Sequence, residues 1–87
     1  MKSKDLFNII KEYKREVKCI NNEFDVTLIF SDKPLIDKAN VTNRKLYKLK
    51  EEYNKMIITL MYCSVLNNHQ FTYLTNKIDY IYYTNVR

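Results

Sequence analysis

Apolar residues recur at spacings of three and four from the start of the chain. Leu6, Ile9, Ile10, Tyr13, Val17 and Ile20 fall on one face of a helix spanning residues 3–21. Lys4, Lys11, Arg15 and Lys18 occupy the opposite face as a basic stripe. Asn21-Asn22 stands where a glycine would normally end such a helix, because Asn tolerates the left-handed conformation best among the other residues. The period then changes to two. Phe24, Val26, Leu28 and Phe30 alternate with polar or outward positions, the pattern of a half-buried strand over 24–30. Ser31-Asp32-Lys33-Pro34 breaks it, and residues 31–41 read as a loop or a short helical turn around Leu35 and Ile36.

A second helix is predicted over 43–66, capped by Thr42 or Asn43. Leu46, Leu49, Tyr53, Met56, Leu60 and Cys63 step 3-4-3-4-3, the seam of a helix packed along another. Its first half is charged and its second half, from Met56, is not, which predicts a projecting first half and a second half buried nearly all round. At 1.5 Å per residue the helix is ~37 Å long, more than the ~25–30 Å expected for a domain of this size. Residues 71–84 are rich in β-branched and aromatic side chains around Asn76-Lys77 and predict a C-terminal hairpin. The same stretch reads as a helix when Phe71, Leu74, Ile78 and Ile81 are taken in line. With the hairpin, the order is that of a single compact α+β domain over residues 1–87, two amphipathic helices on a small antiparallel sheet.

Composition changes this picture mainly by exclusion. The 87 residues contain no glycine, so a Walker-type phosphate loop, a dinucleotide fingerprint and an EF-hand turn are all absent. Lys, Asn, Ile and Tyr supply 39 residues, the bias of an AT-rich genome. Net charge is +5, suited to a polyanion or an acidic protein surface, or simply to solubility. No uninterrupted signal-peptide core opens the chain, and no stretch has the ~20 apolar residues of a membrane span. Two cysteines without a disulfide framework predict reduced thiols in a cytosolic setting, the cytoplasm of a host cell.

Candidate chemistry is sparse. Cys63 with His69 could form a nucleophile–base pair, but no local motif supports it and Cys63 falls on the helical seam. Cys19, Cys63 and His69 match no tetrahedral zinc spacing. Glu51-Glu52 reads as solvated surface, with Glu51 four residues before Lys55. No catalytic residue, metal or cofactor is assigned. The partner-binding candidates are Tyr80, Tyr82 and Tyr83 with Lys77 on the hairpin, and Lys11, Arg15 and Lys18 on the first helix. On a strand, Tyr80 and Tyr82 share one face and Tyr83 takes the other.

These features predict a small, basic, non-enzymatic protein that occludes a host macromolecule. A phage or mobile-element inhibitor of host defence, anti-CRISPR-like in type, fits the composition by analogy. The expected partner is a host protein or a protein–nucleic acid complex, with direct nucleic-acid contact left open and no membrane involved. The alternative is a winged-helix-like nucleic-acid-binding protein, opposed by the continuity of the 43–66 seam and the scarcity of arginine. The exposed part of the seam, at Leu46, Leu49 and Tyr53, offers a place for a homodimer.

Overall fold

A computed structural model describes every residue except Ser31. It consists of three helices, α1 (Ser3–Phe30), α2 (Leu35–Tyr62) and α3 (Asn68–Asn85). Among the described residues there is no strand, so the expected α+β domain with its antiparallel sheet is replaced by an all-α, up-down-up bundle. Each helix packs against both others. One core joins them: Ile10, Tyr13 and Val17 from α1, Leu46, Leu49 and Ile57 from α2, and Leu74, Ile78 and Ile81 from α3, with Leu66 of the connecting turn.

The first correction concerns residues 24–30, expected as a strand. The helix does not stop at Asn21-Asn22. The Asn21 side chain donates to Asn85 Oδ1 at 2.9 Å and accepts from Arg87 Nη1 at 2.8 Å, so tertiary bonds employ it in place of a terminating turn. Phe24 lies seven residues beyond Val17 on the same face and is buried, with the Arg87 guanidinium 4.1 Å from its ring centroid. A lone alternating segment has no neighbour with which to satisfy its backbone, whereas a helix satisfies its own.

α2 begins at Leu35, eight residues before the expected start, directly after Pro34. The Pro34 carbonyl accepts from the amides of Asp37 and Lys38, and Asp37 sits in the first turn where the helix dipole favours a carboxylate. The charged first half of α2 does not project as a bare surface: Leu46 and Leu49 are buried. Nor is its second half enclosed. Met56, Ile58, Tyr62 and Cys63 are exposed, because a helix in a three-helix bundle shows its neighbours only part of its circumference.

The segment 71–84, expected as a hairpin, is the body of α3. Asn67 Oδ1 accepts from the Gln70 amide at 2.8 Å and Gln70 Oε1 accepts from the Asn67 amide at 3.2 Å, a capping box that sets the start of the helix. Leu74, Ile78 and Ile81 then fall on one face and are buried. The turn before α3 carries Ser64 at φ 60°, with the Val65 and Leu66 amides both donating to the Leu60 carbonyl. That is a glycine-type helix ending made without glycine.

The Met1 ammonium donates to the Val65 carbonyl, and Gln70 Nε2 donates to the Met1 carbonyl, so the start of α1 and of α3 share one end. α3 stops level with Asn21 of α1 and Asn43 of α2, which exchanges two hydrogen bonds with the Arg87 backbone. The molecule measures 48 × 19 × 17 Å, with a radius of gyration of 15.0 Å. A compact chain of this length would have ~12 Å. The excess is the α1–α2 hairpin tip, which runs on past α3.

Candidate interaction face

Three carboxylates of α1 are held by other side chains. Glu12 pairs with Arg15, Glu16 accepts from the Tyr53 hydroxyl of α2, and Glu23 meets Lys45 Nζ of α2 at 2.8 Å. Lys14 and Lys18 line a groove with Val17 and Asn21 against Tyr80, Ile81, Thr84 and Asn85 of α3. Nearer the start of α1, Ser3, Leu6 and Phe7 line a second groove with Asn67, His69, Gln70 and Tyr73. Between the two, Lys77 Nζ lies 5.9 Å from the Tyr73 ring centroid. Neither groove has a carboxylate in its lining. The result is one long face on which Phe7, Tyr73 and Tyr80, the last 68% exposed, stand among Lys14, Lys18 and Lys77.

The periodicity of α3 explains this. Positions 73, 77, 80 and 84 step by four, three and four, so Tyr73, Lys77, Tyr80 and Thr84 form a single stripe. Tyr80 and Tyr82, expected on one face of a strand, are about 200° apart on the helix. Tyr82 instead turns toward α2. Its ring centroid is 6.3 Å from that of Tyr47 and 5.2 Å from that of Tyr83. Lys50 Nζ sits over all three rings, at 4.8 Å from Tyr82, 5.5 Å from Tyr83 and 5.8 Å from Tyr47, and 3.9 Å from Asp79. Tyr82 and Tyr83 therefore already hold a cation from their own chain.

The residues singled out from sequence are thus divided. Tyr80 and Lys18 are brought together across the α1–α3 groove, and Lys77 lies on the same α3 stripe. Lys11 is exposed on α1 beside Lys14. Arg15 is drawn into its pair with Glu12, whose carboxyl it holds below the usual carboxylate range by hydrogen bonding. Tyr82 belongs to the α2 side of α3, whereas exposed Tyr83, three residues after Tyr80, flanks the stripe with its ring near Lys50. Sequence reasoning missed Phe7, Lys14 and the Lys50 cluster; the four-three-four spacing from Tyr73 to Thr84 was the available signal. Leu46, Leu49 and Tyr53, the expected dimer contacts, are spent inside the bundle, with Tyr53 packed on Tyr13 at 4.9 Å between centroids.

Cys63 is exposed rather than in a buried seam, as are Cys19 and His69. Among the described residues no group of three His, Cys, Asp or Glu side chains gathers to hold a metal ion. None of the described helices is long and apolar enough to cross a membrane. The chain matches no family model, no curated protein and no solved structure.

Proposed function

We propose that the chain is a non-enzymatic binding module that covers an acidic protein surface with its α1–α3 face. The observation that carries this reading is the carboxylate-free run of Phe7, Tyr73 and Tyr80 among Lys14, Lys18 and Lys77. Exposed aromatic side chains supply large contact area at low entropy cost, and the surrounding cations steer an acidic partner into register. Both stripes stand on helices fixed by one core, so little ordering is required on binding. The AT-coded composition favours a phage or mobile-element source, and with it inhibition of a host protein by occlusion.

The test is capture from a low-GC bacterial lysate on the immobilised full chain, with and without nuclease, beside Tyr80→Ala and Lys18→Glu. Tyr80 is exposed, so its truncation should leave the fold intact and cost about 2 kcal/mol or more of affinity. Lys18→Glu should chiefly lower the association rate. A nuclease-insensitive protein retained by the native chain and lost by Tyr80→Ala supports the proposal. Capture abolished by nuclease, with affinity falling steeply against log salt for any oligonucleotide, replaces it with nucleic-acid binding. Equal capture by all three chains refutes it.

A further inference from the structure

The hairpin tip carries the other unexplained feature of the surface. Asn21 and Asn43 touch the end of α3. Seven residues further toward the tip, on the same helical faces, stand Leu28 and Ile36. The stripe that packs on α3 thus continues as apolar residues for roughly 12–14 Å after α3 has ended. Ile29, Phe30, Leu35 and Ile36 are 75%, 82%, 64% and 69% exposed, and Val26, Leu28 and Val41 are exposed with them. Leu28 and Ile36 face the space beyond α3, while Val26, Ile29, Phe30, Leu35 and Val41 carry the apolar surface around the sides of the tip.

We infer that a second copy of this chain covers the tip, the two α1–α2 hairpins overlapping antiparallel so that each fills the space beyond the other's α3. Charge selects both the occupant and the direction. Asp25, Asp32 and Asp37 are exposed at the tip, where the cations among the described residues are exposed Lys33 and buried Lys38. At the level where α3 ends, Arg44 and Arg87 are exposed. An antiparallel overlap brings the acidic corner of each copy to the basic level of the other, twice, by symmetry. It also keeps the two acidic corners about one overlap length apart, beyond the ~8 Å screening length at physiological salt. A parallel overlap would superpose them. This assembly leaves the α1–α3 face of the body open, so it stands independently of the function proposed above.

Sedimentation velocity and light scattering on the full chain test it. The expected species has twice the chain mass of 10.6 kDa, and its melting temperature rises with concentration. Ile36→Glu should raise the dissociation constant at least tenfold while leaving the far-ultraviolet helix signal unchanged. Tyr62→Glu, at the other end of the molecule, should not alter assembly. Asp37→Arg should weaken the dimer and Arg44→Asp in the same chain should restore it, because the two positions face each other between copies. A monomer at all accessible concentrations overturns the inference, as do open-ended oligomers, an Ile36→Glu chain that assembles like the native one, or a charge swap that restores nothing.

Discussion

Tyr13→Phe should make this protein more stable. Tyr13 is fully buried, and its hydroxyl has no hydrogen-bond partner among the described residues. A buried polar group left unsatisfied costs about 1–3 kcal/mol of desolvation. Phenylalanine removes the group and keeps the ring, which packs on Tyr53 at 4.9 Å and 59°. The void of one oxygen atom returns a few tenths of a kcal/mol at ~24 cal/mol per Å³. The balance is a gain of about 1 kcal/mol, or ~4–8 °C in melting temperature for a domain of this size.

Alkaline pH sharpens the same test. Burial pushes the Tyr13 phenol up to about 12, helped by the nearby Asp79 and Tyr82 charges. The unfolded phenol ionises near ~10. Between those values the unfolded chain has released a proton that the folded chain still holds, so native stability falls as pH rises, by ~1.4 kcal/mol per unit for this group. The contribution is complete below the unfolded value and lost as pH climbs through the folded one. Tyr53 is also raised, by burial and by its bond to Glu16, and keeps titrating in the variant. The advantage of Tyr13→Phe should therefore grow from pH 9 to pH 11.5 in urea unfolding followed by circular dichroism. A variant less stable than the native chain at neutral pH, or an advantage flat with pH, refutes the reasoning.

Two further outcomes follow from the core and the turn. Leu74→Ala should cost about 2–5 kcal/mol by chemical denaturation, since Leu74 is fully buried in the shared core, whereas exposed Lys48→Ala should stay within about 0.5 kcal/mol. Similar losses in both would contradict the burial pattern. Ser64→Gly should add about 0.5–1 kcal/mol, because Ser64 holds φ 60° where a Cβ is penalised; a loss in the same thermal melt would mean the serine side chain makes up for its strain.

The sequence by itself determined the register of α1 and of the first half of α2, while Met56 and Cys63 of the expected seam are exposed and Ile57 is buried in their place. Leu6, Ile10, Tyr13 and Val17 face inward as their spacing requires, and so do Leu46 and Leu49 of the 3-4 seam. It also contained the helical reading of 71–84, since Leu74, Ile78 and Ile81 lie in line and Asn67 with Gln70 writes a capping box. What misled was local: β-branched and aromatic residues favour strands only where a neighbouring strand exists, and β-propensity is largely a measure of that context. Tertiary structure decided that no such neighbour exists. It placed Arg87 on Phe24 and Asn85 on Asn21, pairs 63 and 64 residues apart in the numbering, which carry α1 through an expected stop. The interaction face depended on the same decision. Lysines on α1 and tyrosines on α3 are each legible as residues, but only parallel packing of those two helices sets Lys18 beside Tyr80. The period of α3, three and four instead of two, sends Tyr82 away to Lys50.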